Sequence, residues 1–201
     1  MSAVRPGRRP LEVATVSRRN RLGRLLWQIV WLTLYRPSPV MLHGWRRMLL
    51  RAFGAVIEPH AKPYPNVRIF APWNLTMREG SCLGRDVDCY CVAAVELGAY
   101  STVSQYSFLC TASHDVEHPD MPLVVAPITL GADVWVAADV FVGPGVRVGD
   151  GALIAARATV VRDVEAWTVV VPAAARVVGV RQSVRRRRIG TRAGDPAPPA
   201  G

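Results

Sequence analysis

Aliphatic residues recur at every sixth position through the second half of the chain, at Leu130, Val136, Val142, Val148, Ile154 and Val160. The next residue is Gly131, Ala137, Gly143, Gly149, Ala155 or Val161, and two positions before each aliphatic residue stand Ile128, Val134, Val140, Val146, Ala152 and Ala158. An earlier block repeats the pattern at Met77, Leu83 and Cys89, then at Leu97, Val103 and Leu109. The step from Cys89 to Leu97 is two residues too long, which predicts an insertion within residues 91–95. A period of six is neither helical nor that of a flat strand. It places three short strands on each turn of a triangular prism, with the aliphatic residues inside and small residues at tight corners. Residues 67–179 then make roughly six turns of a parallel β-helix of hexapeptides, an all-β solenoid.

Upstream the period changes. Leu22, Leu25, Leu26, Ile29, Val30, Leu32 and Leu34 predict a helix with a broad apolar surface. Pro37 and Pro39 break the chain, and Gly44-Trp45 to Phe53-Gly54 predict a second short helix. The expected organisation is a disordered basic arm over residues 1–20, a helical capping segment over 21–66, the β-helix over 67–180 with a loop at 110–127, and a disordered basic tail over 181–201. Residues 22–35 suit two roles: a cap on the open end of the prism, which is favoured, or peripheral contact with an anionic membrane.

The formal charge of +10 over 201 residues suggests a nucleic-acid binder until it is located. Residues 1–24 hold +6, residues 176–201 hold +6, and the body between them holds −2. The body offers no basic stripe, so nucleic acid is excluded as the expected partner. Cys82, Cys89, Cys91 and Cys110 form no C-x-x-C pair, which predicts packed reduced thiols. Ser17-Arg18-Arg19-Asn20-Arg21-Leu22 superficially resembles a twin-arginine export signal. However, the apolar run that follows contains Gln28, ends without a small-residue cleavage site, and falls short of the roughly 20 residues that span a bilayer. A cytoplasmic protein is expected, with the inner face of the membrane as its possible contact surface.

The period fails between Leu109 and Ile128, where Cys110-Thr-Ala-Ser-His114-Asp115-Val-Glu117-His118-Pro-Asp120 intervenes. An insertion ejected from a rigid solenoid is a usual seat of function. Three readings stand. His114 could act as a general base with a neighbouring carboxylate fixing its tautomer; His114 and His118 could ligate a metal; or the loop could be merely polar and solvated.

The array together with Leu109-Cys-Thr-Ala-Ser-His-Asp115 resembles the hexapeptide-repeat acetyltransferases, above all the colanic acid biosynthesis acetyltransferase type. Further matching segments are Tyr35-Arg-Pro-Ser-Pro39, Gly44-Trp-Arg-Arg47, Ala71-Pro-Trp-Asn-Leu75, Gly131-Ala-Asp-Val-Trp135 and Asp163-Val-Glu-Ala-Trp167. The resemblance implies a left-handed coil, a homotrimer with sites between prisms, acetyl-CoA as co-substrate and a sugar hydroxyl as acceptor. His114 is implied as the general base, with Asp115 in support, in a scheme that needs no metal. Trp135 is implied to line the acceptor–thioester region, and Ala138 and Ala156 to meet CoA through their backbone, with Arg162 and Arg176 toward its phosphates. The chain departs from relatives in two places. Pro172-Ala-Ala-Ala-Arg176 replaces their usual Gly-Asn-Pro-Ala-Lys, and Cys91 stands nearest to an Asn that often orients the acceptor. Two rival functions are a metal-dependent hydratase of the γ-carbonic-anhydrase type, for which His43 and His60 are the remaining histidines, and a non-catalytic scaffold.

Overall fold

The computed structural model of the protein describes residues 11–13 and 17–172. Three parallel sheets form the walls of a prism. The first wall stacks Val56–Ile57, Leu75–Met77, Val95–Leu97, Ile128–Leu130 and Arg147–Val148. The second stacks Lys62–Pro63, Cys82–Leu83, Thr102–Val103, Trp135–Val136, Leu153–Ile154 and Val169–Val170. The third stacks Arg68–Ile69, Asp88–Tyr90, Phe108–Cys110, Phe141–Val142 and Thr159–Val160. The chain visits the walls in this order on every turn, so the hexapeptide period becomes a parallel β-solenoid of about six turns. The periodic residues fill its axis: Met77, Leu97 and Leu130 from one wall, Leu83, Val103 and Val136 from the next, and Cys89, Leu109 and Val142 from the third are all buried. Corners stack tightly enough that a Cβ on Gly98 would collide with the backbone of Gly131 in the following coil.

The prism starts at Val56, earlier than the expected boundary at residue 67. Its first coil is disguised in sequence because Pro63 and Ile69 occupy inward positions beside Lys62 and Arg68. Proline is tolerated there for a geometric reason. The amides of Lys62 and Tyr64 donate upward to Ser81 and Leu83, whereas position 63 faces the open end, where no coil lies to receive a donor. The helical segment also begins earlier than residue 21. α1 spans Arg18–Val30 and is capped by Ser17, whose side chain accepts from the Asn20 amide at 3.2 Å. It continues into a π-helical turn, Trp31–Tyr35. α2 spans His43–Ala52. Within the arm expected to be disordered, Glu12–Val13 forms a strand. The 181–201 tail and most of that arm lie outside the described residues.

The helices satisfy a specific need of the solenoid. Carbonyls of each coil accept from the coil below; in the second coil those of Met77, Ser81, Leu83, Val87 and Cys89 do so. Their first-coil counterparts are Ile57, Ala61, Pro63, Val67 and Ile69, which have no coil beneath them. Side chains from the helical segment take over. Arg51 donates to Ile57, Arg47 to Ala61 at 3.0 Å, Arg46 Nε to Pro63 at 2.7 Å, Trp31 to Val67 at 2.8 Å and Trp27 to Ile69 at 2.7 Å. All five carbonyls are answered, and the sheet edges they would have exposed are closed. Trp27 packs edge-on to Tyr35 and tilts against Phe53, so the cap carries its own small core.

His43 sits within this cap, its Nδ1 3.1 Å from both the Pro63 carbonyl and the Arg46 guanidinium. Burial, opposed in part by the Pro63 carbonyl and reinforced by Arg46, holds its pKa below the ordinary value of 6.5. Below pH 6.5 the unfolded chain therefore binds a proton that the folded chain resists, and stability falls as the pH drops. Thermal unfolding followed between pH 8 and pH 5 should show a declining midpoint that flattens in His43→Gln. An identical slope in the variant would remove His43 as the cause.

Candidate active site

The corner joining the third wall to the first is wider than the other corners in three successive coils. Ile69 to Met77 and Cys89 to Leu97 each carry two extra residues, and in the third coil the corner expands into the insertion between Cys110 and Ile128. The extra residues are stitched together. Asn74 Nδ2 donates to the carbonyls of Cys91 at 3.0 Å and Val92 at 2.8 Å, and the Ala93 amide donates to Thr111 Oγ1 at 3.0 Å. Thr111 Oγ1 donates in turn to the Tyr90 carbonyl at 2.8 Å and fixes the base of the insertion.

The insertion is a hairpin, not an irregular loop. Ala112–His114 pairs antiparallel with Leu123–Val125, and Glu12–Val13 adds a third strand on the other side of Leu123–Val125. His114 ends the first hairpin strand, opposite Leu123, with its ring exposed. Its Nδ1 lies 2.7 Å from the Met121 carbonyl. A carbonyl can only accept, so Nδ1 carries the proton and the Nε2 lone pair is free to take one. Across the hairpin, the Asp115 amide donates to the Pro122 carbonyl at 3.0 Å and keeps the two arms at this spacing.

Asp115 does not orient the ring. Its Oδ1 accepts from the Glu117 amide at 3.0 Å in a local turn, and the orienting acceptor is the Met121 main chain. No residue type at position 121 could have signalled this, because the group is a backbone carbonyl. His118 is occupied separately, with its Nδ1 accepting from the Asp120 amide at 3.2 Å. Among the described residues, no three His, Cys, Asp or Glu side chains gather as metal ligands.

Cys91 is a correction. It is wholly buried, its Sγ donates to the Ala71 carbonyl at 3.2 Å and accepts from the Ala71 amide at 3.3 Å, and no substrate can reach it. The widened corner turns the residue inward, where a small thiol packs better than an amide. Cys89 is buried beside it, and the four cysteines are free. The hydrogen bond to Cys91, with burial second, pushes the Cys89 thiol up.

The remaining described residues fall in three places. Trp135 is half-exposed on the outside of the second wall, its Nε1 donating to Ser104 Oγ at 3.1 Å. Ala138 and Ala156 stack one coil apart at the corner between the second and third walls, linked by the Arg157 amide donating to the Ala138 carbonyl at 2.9 Å. Arg162 is exposed at the widened corner's own edge, two coils beyond the hairpin. Arg176 lies outside the described residues. In cross-section the second wall stands opposite the corner that emits the hairpin, so one chain presents His114 and Trp135 on different sides.

No protein-family model matches the sequence. Over 147 residues it is 41% identical to WcaF of Escherichia coli K12, assigned as a colanic acid biosynthesis acetyltransferase; the match spans 73% of this chain and 81% of that protein. A WcaF from Shigella flexneri matches to the same extent. Among solved structures, the hexapeptide-repeat acetyltransferase VCA0836 of Vibrio cholerae in complex with acetyl-CoA superposes with a TM-score of 0.71 at 19% identity, covering 84% of this chain and 92% of that one. A maltose O-acetyltransferase from Clostridium difficile superposes with a TM-score of 0.61 at 20% identity, covering 77% and 84%. A prism of stacked hexapeptides, a hairpin carrying an exposed histidine at the third coil, and this degree of identity lead to one assignment: the chain belongs to the hexapeptide-repeat acetyltransferase family and is an acyltransferase.

Proposed function

We propose that the enzyme moves an acetyl group from acetyl-CoA to a hydroxyl of a sugar destined for an exopolysaccharide or another surface glycan, on the cytoplasmic side of the membrane. The carrying observation is His114, whose Nδ1 is committed to the Met121 carbonyl while the ring stands exposed at the end of a paired strand. Nε2 takes the proton of the acceptor hydroxyl as its oxygen attacks the thioester carbonyl carbon. Collapse of the tetrahedral adduct breaks the carbon–sulfur bond. The proton held on Nε2 passes to the departing sulfur, so the products are free CoA and the acetyl ester. The relatives' named activities, on colanic acid biosynthesis and on maltose, support a sugar acceptor.

A homotrimer is the working unit in this reading. His114 and the Trp135 face lie on different sides of one prism, so a site holding both takes a hairpin from one copy and a wall from the next. Along that wall, the small side chains of Ala138 and Ala156 leave the main chain bare for the arm of CoA, and Arg162, on the hairpin corner of the neighbouring copy, is the cation for its phosphates.

Thiol release from acetyl-CoA, followed with a panel of free and nucleotide sugars, should rise above background with at least one sugar. No sugar-dependent release across the panel would overturn the reading. Subunit mixing tests the shared site. His114→Ala and Ala156→Arg should each be inactive alone, whereas mixed trimers regain about a quarter of wild-type turnover, because some sites then pair an intact hairpin with an intact wall. Mixtures as inactive as their parents would place the whole site on one chain.

A further inference from the structure

We infer that the capped end of the prism is a docking surface for an anionic phospholipid bilayer. The five first-coil carbonyls point along the prism axis, away from the second coil, and α1 and α2 reach them from beneath through Trp27, Trp31, Arg46, Arg47 and Arg51. The opposite sides of both helices therefore face outward from the end of the prism.

Those sides are apolar. Leu22, Leu25, Leu26 and Ile29 follow one another at helical spacing on α1, with Leu25 59% and Ile29 52% exposed, and Trp45 and Met48 are exposed on α2. The inward stripe of α1 runs through Trp27 and Val30 and continues in Trp31 and Tyr35. α1 is thus apolar on two faces, only one of which the prism uses.

Charge identifies the occupant. Between Glu12 and Glu58 the chain has eight Arg and no acidic residue. Arg18, Arg19 and Arg21 are exposed at the N-terminus of α1, where the helix dipole already favours an anion and where no acidic side chain stands in the first turn. A second copy docked end to end would set one such face against another, Arg against Arg. In the side-by-side trimer proposed above, copies meet on the walls and leave this end free. An anionic bilayer answers both features, taking the Leu and Trp side chains at its interface and the Arg side chains among its headgroups. No helix among the described residues is long and apolar enough to cross a membrane, so the contact is peripheral. The surface belongs to the cap and holds whatever sugar the enzyme acetylates.

The full chain should be floated with phosphatidylcholine vesicles, with and without phosphatidylglycerol, at low and at high salt. Flotation is expected with phosphatidylglycerol at low salt and should fade as salt rises. Arg18→Gln with Arg21→Gln should weaken partitioning about fivefold for each Arg. Leu25→Glu with Ile29→Glu should abolish it, while circular dichroism and the unfolding midpoint stay at wild-type values. Absence of flotation at low salt, equal binding to neutral vesicles, or unaltered binding of both variants would each overturn the inference. So would light scattering in which Leu25→Glu with Ile29→Glu splits a larger assembly, since a second copy would then cover this face.

Discussion

His114→Ala is expected to lower turnover about 10²–10⁴-fold while leaving the KM for acetyl-CoA close to wild type. A general base acts only as the hydroxyl proton departs, so its loss raises the barrier to chemistry without weakening thioester binding. The ring is at the surface of the hairpin, paired only through the Met121 carbonyl, so truncation leaves no buried group without a partner and the fold is retained. Added imidazole should restore part of the lost rate, because the exposed space vacated by the ring can admit a free base. Asp115→Asn discriminates further. Asn can accept the Glu117 amide as Asp115 does, so turnover should be nearly unchanged if the carboxylate serves the turn. A collapse as deep as that of His114→Ala would instead assign Asp115 to the reaction. Wild-type turnover in His114→Ala, with structure intact, would end the general-base assignment.

What the sequence disclosed and what it hid divide along a physical line. An inward solenoid position tolerates only an apolar side chain of limited size, and one coil imposes the same demand on the next. Leu83, Val103 and Val136 were therefore readable as stacked partners from spacing alone. The hairpin announced itself as the place where that spacing stopped, and His114 stood out within it. Hydrogen-bond partners leave no such period. The first coil was hidden because Pro63 meets an edge condition that no interior coil shares. The donors answering its carbonyls are two Trp and three Arg, side chains that read equally well as apolar surface or solvated charge. Met121 and Cys91 carry the same lesson. One acts through its main chain, and the other, whose position in the sequence suggests a substrate contact, is turned into the core by the widened corner.

Arg46→Ala is the substitution expected to cost the most stability. Arg46 is wholly buried without a carboxylate partner, and its charge is solvated by neutral acceptors. Nε donates to the Pro63 carbonyl at 2.7 Å, Nη1 to Ser38 Oγ at 2.8 Å and the Pro39 carbonyl at 2.7 Å, and Nη2 to the Val40 carbonyl at 2.5 Å. Burial depresses its pKa from the ordinary value, a desolvation cost that those acceptors offset. Truncation strands carbonyls from the first coil and from the turn between the helices, at a cost of about 3 kcal/mol or more. Arg46→Lys should recover only part of this, because a point ammonium cannot span acceptors set out for a planar fork. Each coil of a solenoid contacts only its neighbours, so the loss should be local before it is global. Amide exchange should accelerate first in α2 and the first coil, while the coils around Val142 and Ile154 keep their protection. If every coil instead lost protection together, the cap and prism would be one cooperative unit; if none did, the carbonyl network around Arg46 would not be what holds the end closed.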